Sequence, residues 1–315
     1  MLTLFTTGKV FRGHDGIIQR NALGSWKQLH PDVEVILFGD EEGAAEVCAE
    51  LGLRHEPHVE RHESGVKRLD YIFARAQEIS RHEYCCFANC DIILMQDFRK
   101  AFEKAKAWRQ QFLFVAQRWD TDITERIDFG DGDWPDKLRQ VAVTWGFQQD
   151  EFWIDLFAFR KGQYLDMPPL LVGHCYWDNW MIWKALHSRI PVLDATSFVM
   201  LIHQNHGYNS RFGRVKGFPN DALSQHNLEL IGGLKRIRHI RSSTHRMGRG
   251  GKAYPNAFRY THDYTRVWRQ RIGRFENFVL YKLLMPVWHG FLDITRPVRK
   301  VFGLRSKSLP GGDGK

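Results

Sequence analysis

Short apolar runs alternate with amphipathic stretches along the first part of the chain. Residues 2–6 and 33–38 are apolar and rich in β-branched or aromatic side chains, which is typical of buried strands. Between these runs, residues 22–29 place apolar side chains at helical spacing. The pattern therefore predicts a strand, a helix and a second strand.

The same alternation continues to residue 116. Helical spacing recurs over residues 40–51, 66–79 and 97–108, the last with Asp97 as the expected N-cap, and strand-like runs cover residues 53–59, 84–88, 92–94 and 112–116. Strands that alternate with helices of this length are typical of βαβ units. We therefore expect an α/β fold with a mostly parallel central sheet and flanking helices.

The pattern weakens in the middle of the chain. Between residues 120 and 150 the periodicity is weak, and the polar segment DFGDGDWPDK, residues 128–137, is expected to be a loop. An apolar run at 152–159, a helix beginning near Trp177, and two last strands at 191–194 and 197–203 complete the predicted body.

Polar residues stand directly after several predicted strands. Ligands of parallel sheets bind at the carboxyl ends of the strands, so these residues are candidates for contact with a bound molecule. They are Thr6, Thr7, Asp40, Asn89 and Asp91.

Two short motifs carry groups that could bind a metal. Asn89 and Asp91 follow a buried strand and offer oxygen ligands of the kind that Mg²⁺ or Mn²⁺ takes. His203 and His206, in HQNH, end the last predicted strand and could supply an imidazole to a metal or donors to a phosphate. A capped turn and a structural histidine pair are the alternatives that the residues leave open.

The segment WDNW opens a predicted helix behind a glycine-containing loop. Asp178 stands at the helix N-terminus between two tryptophans, where a carboxylate could act as a general base and aromatic rings could meet a sugar face. The alternative is a capping aspartate beside core tryptophans.

Several common signatures are absent from the sequence. There is no GxGxxG after the first strand, no GxxxxGK[ST], no GxSxG and no HExxH. A conventional dinucleotide-binding dehydrogenase, a P-loop NTPase, an α/β-hydrolase and a zincin protease are therefore disfavoured.

The net charge of +9 divides unevenly along the chain. Residues 1–230 hold 26 Lys and Arg against 32 Asp and Glu, whereas residues 231–315 hold 19 against 4. The chain is thus an acidic body followed by a basic C-terminal quarter. The five cysteines form an odd set without CxxC pairs, and with no signal peptide recognised we expect structural thiols and a cytoplasmic location.

Five blocks of the sequence together resemble nucleotide-sugar-dependent glycosyltransferases of the GT-A fold. They are LTLFTTGKVF, VILFGD, FANCDIILMQDF, IDLFAFRKG with MPPLLVGHCYWDNWMIWKAL, and VLDATSFVMLIHQNHGY. The likeness is greatest to a largely uncharacterised glycosyltransferase-like group with NxDI, WDNW and HQNH blocks. It covers residues 1–245, the expected catalytic domain.

The resemblance implies a role for each matching residue on the donor side. Asn89 and Asp91 stand in place of the DxD metal motif, although Asn89 departs from it, and His203 or His206 would complete the shell of Mn²⁺ or Mg²⁺. Thr6, Thr7 and Asp40 would hold the base and ribose of the nucleotide diphosphate sugar.

The resemblance also implies an acceptor side. Asp178 falls at the position of the base that deprotonates the acceptor hydroxyl in inverting members, although WDN differs from the commoner acidic pair. Asp155, Trp177 and Asn179 would line the acceptor site.

Within the basic quarter, residues 246–315 are predicted to be a partly amphipathic helical extension. Residues 271–300 combine apolar and aromatic positions with basic flanks, so they either contact the inner face of a membrane or pack as helices on the body or a second copy. The basic run 235–249 suits either phosphate contact or a solvated face. Nucleic acid is the least favoured partner, because aromatic interleaving is absent.

Together these observations predict a metal-dependent glycosyltransferase that moves a sugar from a nucleotide diphosphate sugar to a hydroxyl acceptor. The acceptor would be a glycan or a lipid-linked molecule. The alternative is a catalytically inactive binding or scaffold protein of the same fold at a membrane surface. A nucleotidyltransferase is disfavoured because the glycine-rich loop is missing.

Overall fold

The computed structural model describes residues 1–206 and 221–257. All of them belong to the first of the chain's two units, Met1–Arg259. The predicted membrane-contacting stretch, 271–300, lies outside the described residues. Within the described ranges no helix is long and apolar enough to cross a membrane.

Strands and helices alternate through the first half of the chain, as the sequence predicts. The strands are β1 (Thr3–Thr7), β2 (Glu34–Phe38), β3 (Arg54–Glu56), β4 (Tyr84–Ala88), β5 (Ile92–Ile93), β6 (Leu113–Val115), β7 (Arg118–Thr121), β8 (Phe147–Gln148), β9 (Leu156–Arg160), β10 (Val192–Asp194), β11 (Leu201–Gln204), β12 (His245–Met247) and β13 (Ala253–Pro255). The helices are α1 (Gly13–Lys27), α2 (Ala44–Leu51), α3 (Leu69–Ile79), α4 (Gln96–Trp108), α5 (Trp134–Trp145), α6 (Trp177–His187) and α7 (Ala222–Leu230).

Nine strands form the central sheet, in the order β13-β12-β10-β6-β9-β4-β1-β2-β3. The strands β3, β2, β1, β4, β6, β10 and β12 run in one direction, and β9 and β13 run against them. A second sheet has the order β5-β11-β7-β8. The predicted α/β class with a mostly parallel central sheet is thus confirmed.

The central sheet has an apolar layer on each face, which explains its continuous apolar strands. In β1, Leu4 packs with residues of α1, α2 and α4, whereas the next residue, Phe5, packs with residues of α3 and α6. Successive side chains of a strand point to opposite faces, so a strand covered on both sides needs no polar positions. The sequence YCCFA of β4 is buried at every position for this reason.

Two local predictions are wrong. The segment 128–137, expected to be a loop, is helical in its second part, because α5 begins at Trp134 and packs Trp134, Leu138 and Ala142 in a small apolar cluster. Met95, not Asp97, is the N-cap of α4. The Asp97 carboxylate accepts hydrogen bonds from the backbone N–H groups of Phe98 and Met200 instead.

The body of the protein extends past the predicted boundary after residue 245. That boundary falls inside β12, where Leu193 of β10 pairs with His245 and Asp194 pairs with Arg246. Residues 246–257 therefore include most of β12 and the edge strand β13 of the central sheet rather than the beginning of a helical extension.

Candidate functional site

The pairing of β5 with β11 brings the NCD turn beside HQNH. Ile92 pairs with His203, and the backbone N–H of Gln204 donates to the carbonyl of Asp91 at 3.2 Å. The side chain of Gln204 also donates to the carbonyls of Asp91 and Ile18, so it ties the turn to α1. Residues separated by more than a hundred positions thereby face each other.

Asp91, His203 and His206 form a cluster that could hold a metal ion. Their candidate ligand atoms all lie within 4.8 Å of one another. Oδ2 of Asp91 is 3.1 Å from Nε2 of His206 and 3.7 Å from Nε2 of His203. The structure thus brings together the three residues that the sequence proposed as metal ligands.

The environment of Asp91 favours its ionised form. Burial works to raise the pKa of this carboxyl group, but the charges of His203 and His206 outweigh it and hold the pKa well below its ordinary value. The second oxygen of Asp91, Oδ1, is buried and has no hydrogen-bond partner among the described residues. A buried acceptor without a donor is costly, and a bound cation would satisfy it.

Two residues that sequence reasoning missed, Arg118 and Asp120 of β7, complete the surroundings of His203. β7 runs beside β11, and Asp120 is the register partner of His203. Oδ1 of Asp120 lies 3.1 Å from Nδ1 of His203 and 2.8 Å from Nε of Arg118. A carboxylate on the second ring nitrogen is the usual way to fix the orientation of a metal-binding histidine.

Arg118 joins this group to Asp155 and Asn89. Its Nη1 atom donates to both carboxylate oxygens of Asp155 at 3.0 Å. Nδ2 of Asn89 donates to Oδ1 of Asp155 at 2.6 Å. The amide of Asn89 is therefore engaged with Asp155.

The central cluster carries excess negative charge. Asp91, Asp120 and Asp155 supply three carboxylates, and among the described residues Arg118 is the permanently charged cation that pairs with two of them, while His203 and His206 add positive charge only when protonated. Buried carboxylates in excess attract a cation. The charge and the three converging ligands both fit a divalent ion.

Asp178 lies in the first turn of α6, and its environment raises the pKa of its carboxyl group to about 7. Burial is the main cause, and the charge of Asp155 adds to it, while the backbone N–H of Asn179 and the charge of Arg118 oppose the rise. The N-cap residue of α6, Tyr176, has a φ of 83°, a strained conformation for a residue with a side chain. A carboxylate with a pKa near 7 is suited to accept a proton at neutral pH.

Trp177 does not line an open surface, so the prediction that its ring contacts the acceptor is wrong. Its side chain is only 5% exposed and packs against Phe87 and Phe157 in the core. Asn179 is also buried, and its side chain donates to the carbonyl of Phe152. The ring beside the charged cluster is Trp153, whose centre lies 4.8 Å from the guanidinium carbon of Arg118.

The ends of β1 and β2 are joined by a buried lysine that sequence reasoning also missed. Nζ of Lys67 donates to Oγ1 of Thr7 at 2.6 Å and to the carbonyl of Gly8 at 2.7 Å, and it pairs with Glu41 at 2.6 Å. Burial lowers the pKa of Lys67, and the ion pair with Glu41 opposes this effect. Lys67 therefore fixes the strand ends where a nucleotide was expected.

The other two residues predicted there differ in access. Thr6 is fully buried, so it supports the strand end from within rather than presenting its hydroxyl group to solvent. Asp40 is exposed and pairs with Arg61 at 2.6 Å, and this hydrogen bond lowers the pKa of Asp40. Of the two, only Asp40 is directly accessible to a ligand.

The basic run 235–249 is largely engaged with the body. Arg241 pairs with Glu151 at 3.2 Å, and Arg246 pairs with Asp194 at 3.2 Å. The guanidinium of Arg236 lies over the ring of Trp183. Three basic side chains of this run therefore contact other residues of the body.

Comparisons with known proteins were made at three levels. No family model matches the chain, and no curated protein matches it. Solved structures do match. One described as a nucleotide-diphospho-sugar transferase from Desulfovibrio desulfuricans has 13% identity and a TM-score of 0.40, over 73% of this chain and 96% of that one.

Two further structures illustrate the range of these matches. Glucosyl-3-phosphoglycerate synthase from Mycobacterium tuberculosis, in complex with phosphoglyceric acid, has 11% identity and a TM-score of 0.47, over 75% of this chain and 80% of that one. S. aureus TarS 1-349, in complex with UDP-GlcNAc, has 11% identity and a TM-score of 0.43, over 65% of this chain and 59% of that one.

Proposed function

We propose that the protein is a divalent-metal-dependent glycosyltransferase of the GT-A-like kind, which moves a sugar from a nucleotide diphosphate sugar to a hydroxyl acceptor. The observation that carries the proposal is the convergence of Asp91, His203 and His206 at the carboxyl end of β4. In an α/β sheet this edge is where nucleotides bind. The sequence lacks a phosphate-binding glycine loop, so another group has to neutralise the diphosphate.

The three residues fit a divalent ion by their chemistry. Asp91 offers a buried oxygen, Oδ1, without a hydrogen-bond partner among the described residues, and the two histidines present Nε2 atoms toward its other oxygen, Oδ2. A donor set with two imidazoles favours Mn²⁺ over the harder Mg²⁺. When bound, the ion would stabilise the negative charge of the departing diphosphate.

Other residues of the chain position the ligands and the strand ends. Asp120 holds His203 in one orientation. Arg118 pairs with both Asp120 and Asp155 and compensates their negative charge. Lys67 fixes Thr7 and Gly8 at the end of β1, beside the exposed carboxylate of Asp40, where the ribose and base are expected.

Asp178 is the proposed general base. Its pKa of about 7 leaves a substantial ionised fraction at neutral pH, and this fraction can take the proton of the acceptor hydroxyl. The proton then rests on the Asp178 carboxylate while the acceptor oxygen attacks the anomeric carbon of the sugar. The bond from that carbon to the diphosphate oxygen breaks, and its electron pair leaves with the nucleoside diphosphate. In a reaction that retains the configuration, Asp178 would orient the acceptor instead.

A thermal-shift panel tests this function. The full chain is heated with a series of nucleotide diphosphate sugars, each with and without Mn²⁺, because a ligand that binds the folded state raises the unfolding temperature. We expect a shift that needs both the metal and one donor. If no donor shifts the transition in the presence of Mn²⁺, the proposal is wrong.

The scaffold alternative also makes a positive prediction. A binding protein without activity would retain the donor-dependent shift and release no nucleoside diphosphate during incubation with acceptors. Release of UDP or GDP from the stabilising donor, measured by a coupled assay, separates the two functions.

A further inference from the structure

The segment 145–153, with the sequence WGFQQDEFW, is built around the charged cluster and carries exposed aromatic rings. Trp145 is 82% exposed, Phe147 48% and Phe152 44%. A tryptophan is usually well buried, and a group of exposed aromatic rings is typical of a binding surface.

Several contacts fix this segment beside Arg118 and Asp120. A Cβ at Gly146 would come within 2.7 Å of the carbonyl oxygen of Asp120, so only glycine permits this approach to β7. The backbone N–H of Gln149 donates to the carbonyl of Arg118 at 2.9 Å, and its side chain donates to the Asp120 carboxylate at 2.6 Å.

The strand register places one of the exposed rings on the face of the metal cluster. Phe147 in β8 is the antiparallel partner of Asp120, which is in turn the parallel partner of His203. Side chains at paired positions lie on the same face of a sheet. Phe147 therefore shares the face of Asp120 and His203.

The other end of the segment returns to the same cluster. The ring of Trp153 lies against Arg118, and the carbonyl of Phe152 accepts the side-chain amide of Asn179, the residue after Asp178. The aromatic segment therefore connects the proposed general base with the metal cluster.

We propose that the aromatic segment, residues 145–153, binds a neutral glycan chain as the acceptor, which rests on the glycosyltransferase function proposed above. Aromatic rings pack on the apolar faces of sugar rings, and the interspersed Gln148, Gln149 and Asp150 offer partners for hydroxyl groups. The segment has two carboxylates and no Lys or Arg. That charge disfavours an anionic lipid headgroup or a phosphorylated acceptor.

The test uses the full chain labelled with 5-fluorotryptophan. The ¹⁹F resonances of Trp145, Trp153 and the core residue Trp26 are assigned from their Phe variants and followed during titration with cello-, chito-, manno- and malto-tetraose. We expect at least one tetrasaccharide to shift the resonances of Trp145 and Trp153 and to leave Trp26 unchanged.

Variants give the second readout. Trp145→Ala and Phe147→Ala should each weaken the binding of the active tetrasaccharide by roughly three- to tenfold, the size of one aromatic contact. Tyr254→Ala is the matched control, because Tyr254 is also an exposed aromatic residue but lies on β13, at the edge of the other sheet. Equal weakening by all three variants would overturn the assignment.

Other occupants would show themselves in the same experiment. If phosphatidylglycerol vesicles shift Trp145 and no tetrasaccharide does, the surface meets lipid; if dilution of the protein alone shifts it, the surface joins two copies. Either result overturns the inference. Loss of the donor- and Mn²⁺-dependent thermal shift, by contrast, would contradict the proposed function, whatever the sugar titration gives.

Discussion

Asp120 contacts His203 through the ring nitrogen that faces away from Asp91. The distance from Oδ1 of Asp120 to Nδ1 of His203 is 3.1 Å, and the opposite nitrogen, Nε2, lies 3.7 Å from Oδ2 of Asp91. Burial works to lower the pKa of His203, but the charge of Asp91 and the contact with Asp120 outweigh it and raise the pKa. One histidine thus connects a positioning carboxylate with a ligand carboxylate.

Asp120→Asn should weaken Mn²⁺ binding by roughly 10- to 100-fold, the usual cost of losing a partner behind a metal-binding histidine. Isothermal titration of the full chain with MnCl₂ measures this effect. Asp32→Asn, at an exposed carboxylate, is the control and should bind as the wild type does. Unchanged affinity in Asp120→Asn would mean that Asp120 has no role in orienting His203.

Asp178→Asn should abolish sugar transfer and leave donor binding intact, because asparagine cannot accept the proton. In the wild type, transfer should increase as the pH rises through about 7, the pKa of Asp178. Initial rates between pH 5.5 and 8.5 check both statements. A flat pH profile would argue against Asp178 as the base.

The same substitution should stabilise the protein at high pH. Burial raises the pKa of Asp178 in the folded state above its ordinary value of 3.8, so between about pH 4 and 7 the folded protein holds a proton that the unfolded chain releases. Stability from this group is therefore lost as the pH rises through that window. Asp178→Asn should melt higher than the wild type at pH 8, and the difference should shrink toward pH 4.

Arg118→Met should destabilise the fold by about 3–5 kcal/mol, because it leaves the buried carboxylates of Asp120 and Asp155 uncompensated. Urea unfolding at neutral pH measures the loss. Adding Asp155→Asn to this variant removes one of the two charges and should recover part of the stability. No recovery would show that the ion pair with Asp155 is not the source of the effect.

Trp177→Ala should also act through stability rather than through the acceptor. A buried tryptophan replaced by alanine costs about 3–5 kcal/mol. Because Trp177 packs on Phe87 and Phe157, the folded fraction of the variant should keep the acceptor affinity of the wild type. Trp153→Ala, next to Arg118, provides the contrast and should weaken acceptor binding.

Much of the fold follows from the sequence, because apolar periodicity reports burial directly. The strand YCCFA and the helices α1 to α4 are recognisable since each buries a continuous apolar face or run. The start of helix α5 was missed because it follows the polar, glycine-containing run 128–133, although Trp134, Leu138 and Ala142 stand at helical spacing. The boundary at 245 was misplaced because β12 is a strand of only three residues within a basic run.

The candidate site was only partly predictable for a related reason. Asp91, His203 and His206 stand at or just after strand ends, and a polar residue there is a candidate binding residue from its position alone. Arg118 and Asp120 lie within the short strand β7. Their roles depend on contacts with His203 and Asp155, which are distant in sequence. An arginine and an aspartate two residues apart in an RWDT strand, on the same face, are the only local signal that was available.

The affinity for a nucleoside diphosphate tests the central claim most directly. UDP and GDP are titrated calorimetrically into the wild type, Asp91→Asn and Asp32→Asn, each with Mn²⁺ and with EDTA. We predict that the wild type and Asp32→Asn bind one nucleotide at least roughly tenfold more tightly with Mn²⁺, and that Asp91→Asn loses this dependence. Equal affinity with and without the metal, or an Asp91→Asn variant that behaves as the wild type, would contradict the assignment of Asp91, His203 and His206 to a metal that holds the donor diphosphate.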